Sequence, residues 1–249
     1  MVSKVVAAVG LALACTTALA ADPSPFTGNI MLASDYKFRG FTQTNYKPAL
    51  QGGFDYAHPS GFYLGNWNSN VEQSLYNGAS LEMDLYGGFK KSMGAITYDI
   101  GAIHYAYPGS TGVKIDNREI YLGLSMGPLS GKLYYALTDY FDTKAIAAKQ
   151  GGLSTEGTTY LDLAGTADLG NGWSGMAHVG FLNMKNAASN GYASSVTDYK
   201  VGISRDISGW VLGAAYLTTS KKNYFTTGSL SGAKPAGDAR VLVSLSKTF

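Results

Sequence analysis

The stretch LEMDLYGGFK, Leu81 to Lys90, has two unlike faces. In an extended chain Leu81, Met83, Leu85, Gly87 and Phe89 point one way, and Glu82, Asp84, Tyr86 and Lys90 the other, because successive side chains of a strand alternate sides. Apolar against charged at a period of two predicts a strand with one face in an apolar medium and one in a polar one. How many such strands there are, and how they connect, decides what those media are.

Eleven further segments carry the same alternation: Asn29–Phe38, Leu50–Tyr56, Phe62–Trp67, Ala95–Tyr107, Arg118–Met126, Leu133–Tyr140, Tyr160–Leu169, Trp173–Leu182, Asp198–Asp206, Trp210–Thr219 and Ala239–Phe249. Links after even-numbered strands are short: AHPSG, KSMG, GPLSG, GNG and ISG. Links after odd-numbered strands are long and polar, among them RGFTQTNYKPA, FDTKAIAAKQGGLSTEGT and TSKKNYFTTGSLSGAKPAGD. A Greek-key sandwich has no reason to segregate loop lengths in this way. An up-and-down transmembrane barrel does, with short periplasmic turns and longer outer loops. The expected fold is therefore an all-β, up-and-down antiparallel transmembrane β-barrel of about twelve strands, its apolar faces toward lipid and its polar faces toward the lumen.

Composition agrees. Gly at 32, Tyr at 18 and Pro at only 7 favour glycine- and aromatic-rich strands. A formal net charge of +2 excludes a nucleic-acid binder acting through bulk charge, so no nucleic-acid partner is expected. Residues 1–20 read as a cleaved signal peptide: Lys4, an apolar VVAAVGLALA core, and a small-x-small ALA at Ala18–Ala20. Cleavage there would leave residues 21–249 as one barrel domain and remove Cys15, the single cysteine. A lipoprotein anchored at Cys15 is the alternative, disfavoured by Ala rather than Leu at Ala12.

Aromatics at strand ends predict two interfacial girdles. Tyr36, Phe38, Trp67, Tyr107, Tyr140, Phe141, Tyr160, Phe181, Tyr199 and Tyr216 would form the outer ring. Tyr56, Phe62, Phe89, Trp173, Trp210 and Phe249 would form the inner one. A terminal Phe249 on an alternating strand also resembles the C-terminal signal read by the barrel assembly machinery, although Lys247 stands where that signal usually has an aromatic.

The run SDYKFRGFTQTNYKPALQGGFDYAHPSGFYLGNWNSNV, Ser34 to Val71, followed by ASLEMDLYGGF and YDIGAIHYAYPG, resembles the TorF-type porin family of proteobacterial outer-membrane proteins. The similarity is dense to about Gly109 and diffuse beyond. The resemblance implies a small barrel porin in the outer membrane of a Gram-negative bacterium, in contact with lipid and lipopolysaccharide, and leaves its solute open.

If polar faces line the lumen, the pore-lining residues are Asp35, Lys37, Arg39, Gln51, Asp55, Glu82, Asp84, Asp99, Glu119, Asp162 and Lys200, with Lys90, Tyr121, Asp168 and Arg205 beside them. Such mixed charges select small hydrophilic solutes or ions electrostatically. Arg39 is the residue most suited to gripping an anionic group, since its guanidinium is always charged and binds bidentately. The competing expectation is a lumen plugged by pairing among these charges. No catalytic residue, metal site or cofactor is expected: His58, His104 and His178 are isolated, and no Ser lies two residues from His104 or His178. A barrel enzyme, or a surface-binding or adhesion barrel using the loops 183–197 and 220–238, is the alternative reading.

Overall fold

The computed structural model describes residues 24–112, 115–142, 152–191, 193–225 and 234–249; the expected signal peptide lies outside them. Twelve strands close into one antiparallel barrel. They are β1 (Phe26–Ala33), β4 (Ala49–Ala57), β5 (Phe62–Asn70), β6 (Leu81–Met93), β7 (Ile96–Ala106), β8 (Asn117–Met126), β9 (Leu129–Ala136), β10 (Thr159–Gly170), β11 (Trp173–Asn183), β12 (Ser195–Ile207), β13 (Trp210–Thr219) and β14 (Arg240–Thr248). Each pairs with its sequence neighbour, and β14 returns to β1 through Asn29–Thr248 to Ala33–Ser244. Closure leaves no unpaired edge, which a strand structure crossing lipid requires. Among the described residues no helix is long and apolar enough to cross a membrane.

The pleat sorts side chains as expected. Ile30, Leu32, Leu50, Leu64, Leu85, Ile100, Leu122, Leu163, Val201, Leu212 and Val243 stand exposed on the outside of the wall. A continuous apolar exterior of this kind is what transmembrane barrels turn to lipid. The seam ends on Phe249: Gly28 N donates to Phe249 O at 2.7 Å, and Phe249 N donates to Gly28 O at 2.9 Å.

Two strands differ from expectation. The seventh expected strand, β9, runs Leu129–Ala136 rather than Leu133–Tyr140, because GPLSG is mostly strand, with only Gly127 and Pro128 left to turn. The first strand stops at Ala33 rather than Phe38. Beyond it, β2 (Lys37–Phe38) and β3 (Phe41–Thr42) form a separate two-stranded hairpin. Phe38 pairs with Phe41, and the two residues between, Arg39 and Gly40, both have positive φ, 47° and 86°. Two left-handed residues in a two-residue loop are the requirement of a type I′ turn. Glycine is needed at the second for a further reason. A Cβ there would stand 2.7 Å from Asp198 Cβ on the barrel wall.

The expected outer girdle also fails in seven of its ten members, Phe38 and Phe141 packing against the interior cluster. Tyr36, Trp67, Tyr107, Tyr140 and Tyr160 are buried inside, whereas Phe181, Tyr199 and Tyr216 stand exposed. The reason is parity. Trp67 shares its face with Tyr63 and Gly65, not with the outward Phe62 and Leu64, and Tyr160 is one residue from the outward Leu161. The inner girdle keeps Phe62, Trp173, Trp210 and Phe249 outward. Arg205, expected in the lumen, is an outward residue whose guanidinium lies 5.2 Å from the Trp173 ring.

Candidate functional site

The barrel interior is layered. Toward the long loops it is a packed core in which Tyr36, Phe41, Trp67, Tyr105, Tyr107, Tyr134, Tyr140, Tyr160, Leu182 and Val196 are buried together. Toward the short turns it is polar and half-exposed, lined by Asp55, Thr97, Asp99, Lys132, Asp162, Ser174, His178 and Ser204.

Tyrosines and carboxylates are matched across this wall. Tyr86 Oη donates to Asp55 at 2.5 Å, Tyr63 Oη to Asp99 at 2.6 Å, and Tyr160 Oη to Asp198 at 3.0 Å. Glu82 accepts from Tyr36 at 2.6 Å and from Tyr107 at 2.7 Å. Phenol donors satisfy a buried carboxylate while their rings fill space, which fits them to a lumen that must be both packed and polar. Room for the Tyr160 phenol comes from Gly180, which pairs with Asp162 two residues along β10 and where any Cβ would collide with the phenol oxygen and with Asp198.

The expected pore-lining residues divide into two groups. Gln51, Asp55, Glu82, Asp84, Asp99, Glu119, Asp162 and Lys200 project inward from the strands. Of these, Gln51 is held by Ser69 at 3.2 Å, Asp99 by Lys132 at 2.9 Å, and Asp162 faces His178 at 3.3 Å. His178 also meets Asp198 at 2.8 Å, and Lys200 stands opposite it on β12. Asp84 alone is fully buried with neither oxygen hydrogen-bonded among the described residues. Asp35, Lys37 and Arg39, expected on the first barrel strand, instead belong to the inserted hairpin and its approach.

Arg39 is the centre of the packed layer. Its Nη1 donates to Glu119 Oε1 at 2.9 Å and its Nη2 to Glu119 Oε2 at 2.6 Å, a bidentate pair, and Nη1 also donates to Tyr140 Oη at 3.0 Å. The guanidinium lies 4.3 Å from the Tyr160 ring centroid, 4.7 Å from Phe38, 5.1 Å from Tyr134 and 5.5 Å from Tyr140. Arg39 is 8% exposed and Glu119 1%. The guanidinium expected to greet a solute is thus already occupied by the protein's own carboxylate. Sequence reasoning missed this because the partner lies on β8, eighty positions away. The available signal was FRGF, a two-residue hairpin turn between aromatics too short to belong to a spanning strand.

The rest of the hairpin is tied to the loop before β14. Thr42 N donates to Ala236 O at 2.9 Å, and Lys37 Nζ donates to Asp238 O at 2.6 Å and Gly40 O at 3.3 Å. Asp35 accepts from Thr42 at 2.6 Å and Thr44 at 2.9 Å. Burial pushes the Lys37 ammonium down to about 8, against the attraction of Asp35 and Asp238 and aided by Arg240. The sign follows from linkage: the unfolded chain, with its lysine at 10.5, binds more protons than the docked hairpin between about pH 8 and 10.5, so docking strengthens as pH rises through that window. Protease cleavage within residues 34–48 of the folded barrel is therefore expected to slow from pH 8 to 10, and Lys37→Met to remove that dependence. Faster cleavage at the higher pH would contradict the assignment.

A closed, apolar-walled, twelve-stranded barrel with a polar interior defines the porin-like class of barrels by fold. The chain belongs to the family described as bacterial proteins of unknown function, Gcw_chp, whose model matches residues 17–249. No curated protein matches the sequence. Among solved structures, the barrel is similar to the NanC porin, with TM-score 0.56 and 8% identity over 89% of this chain and 98% of that one. It is also similar to the KdgM porin in complex with disordered oligogalacturonate, with TM-score 0.53 and 10% identity over 90% and 99%. At these identities the likeness is one of fold.

Proposed function

We propose that this chain is a diffusion channel in the outer membrane of a Gram-negative bacterium. It passes small hydrophilic solutes or ions, and the β2–β3 hairpin holds it shut in the state described. The observation that carries this is the layering: the short-turn half of the lumen is polar and half-exposed, and the other half is filled by inward aromatics of the wall packed around one inserted hairpin. The TorF-type resemblance of Ser34–Val71 and the porin folds of the neighbours support the same reading. Phe249, exposed and held at the closing seam, suits an assembly signal for the barrel assembly machinery. The exterior suits contact with lipid and lipopolysaccharide.

The polyanionic oligogalacturonate of the KdgM complex is a poor model for the solute here, because Glu82, Asp84 and Glu119 would repel it. A second reading, a plugged barrel that binds or adheres through its loops, draws support from the buried aromatics of the outer half. Catalysis is not proposed. Among the described residues His104 meets only the Asn117 carbonyl and His178 only Tyr160 and two aspartates, so neither activates a serine.

Single-channel recording in planar bilayers separates the readings. Native protein should show rare steps, and a variant with Lys37–Thr42 replaced by a Gly/Ser linker should show steady ones. A folded, heat-modifiable barrel silent in both forms would leave the plugged-barrel reading standing instead.

A further inference from the structure

The hairpin closes the lumen with an ion pair where an apolar tip would have served. Burying two charges carries a desolvation penalty that their attraction only partly returns, and apolar replacements of such pairs are often no less stable. An apolar plug has no competitor in water, whereas a guanidinium held by a carboxylate and aromatic faces can be exchanged for another cation. The pocket is complete without the rest of the hairpin backbone. Glu119 offers both oxygens, Tyr140 offers its hydroxyl, and the Tyr134 and Tyr160 rings lie within cation–π range. All four come from outside the hairpin.

A second observation points to a cation in the same layer. Asp84 is 0% exposed and both its oxygens lack a hydrogen bond among the described residues. In the ladder it stands opposite Tyr105, and Tyr105 stands opposite Asn117, two residues before Glu119 on the same inward face. Phe38 of the hairpin covers Tyr105 at 5.5 Å. An unpartnered buried carboxylate is costly, and this one shares the inward face of β6 with Glu82.

We infer that the Arg39 pocket is a binding site for cationic solutes bearing a guanidinium or alkylammonium group, with Arg39 as its built-in occupant. Such solutes displace the hairpin and meet a constriction made by Glu82, Asp84 and Glu119. This rests on the channel reading above and names its solute class.

The test uses ethylguanidinium in planar-bilayer recordings of the full chain, against sodium chloride of matched ionic strength. On native protein, ethylguanidinium on the long-loop side should raise open probability several-fold over sodium chloride by displacing the hairpin, while lowering the current of each opened channel. Arg39→Ala should stay open, with a reversal potential of cation-selective sign, and be blocked by millimolar ethylguanidinium occupying the vacated pocket. The double variant Arg39→Ala/Glu119→Gln, which removes both charges of the pair, should lose that block by about thirtyfold or more in apparent affinity. Equal responses to ethylguanidinium and sodium chloride in native protein, or a block that survives Glu119→Gln, would overturn the inference while leaving a channel. Should no form conduct, the channel reading fails by itself. The pocket is then read from heat stability: ethylguanidinium should raise the melting temperature of Arg39→Ala and not of the double variant, and no such difference would refute the site as well.

Discussion

Lysine in place of Leu85 or Leu163 is expected to destabilise the folded barrel by about 2–4 kcal/mol, the range for a lysine at the bilayer midplane. Leu85 lies near the middle of β6 and is 50% exposed, and Leu163 lies in β10 at 40%. Both face outward, where a charge has neither water nor a partner. Ala164 is the internal control. It is one residue from Leu163 on the opposite face, beside Ser130 and His178 across the ladder. Lysine there enters the polar half of the lumen and should cost far less, its effect appearing in conduction. Equilibrium unfolding in urea from lipid vesicles measures all three, and equal losses at both faces would overturn the assignment of inside and outside.

Glu119→Gln should cost about 3–5 kcal/mol, the penalty for leaving one member of a buried ion pair uncompensated. The Arg39 guanidinium would keep its Tyr140 hydrogen bond and aromatic neighbours but lose the charge that justified removing it from water. Arg39→Met should be destabilising for the converse reason. The double change Arg39→Met/Glu119→Met should regain most of the loss, because two well-packed apolar side chains need no solvation. A double-mutant cycle on the same unfolding assay reads the coupling directly. Additive losses would mean that the two groups do not share a buried pair.

Much of the barrel was legible because its physics is local and repeated. LEMDLYGGFK contains its own instruction: Leu85 and Tyr86 cannot share a face of an extended chain, and β6 places the first outside and the second within. Every other strand repeats that instruction with its own residues, and the alternation of short and long links arranges them in order. Even the misplaced girdle residues were recoverable. Counting parity from Phe62 puts Trp67 inside, and counting from Leu161 does the same for Tyr160. Their large apolar rings pointed to lipid only while position along the strand was weighed above face.

The hairpin was not legible in the same way. Tyr36 and Phe38 continue the alternation of Ile30 and Leu32, so nothing local ends the first strand at Ala33. What ends it is the room inside the barrel, which exists only once twelve strands have closed. Arg39 then finds Glu119 of β8, Lys37 finds the Asp238 carbonyl, and Gly40 packs against Asp198. None of these meetings can be read along the chain, since a side chain's reach is a few ångströms and sequence separation does not measure it. The sequence by itself determined the number of strands, their faces and their order, because each follows from the two-residue period and the length of the nearest link. Tertiary structure alone decided that the first long link folds into the barrel, which carboxylate holds Arg39, and which carboxylate has no hydrogen bond among the described residues.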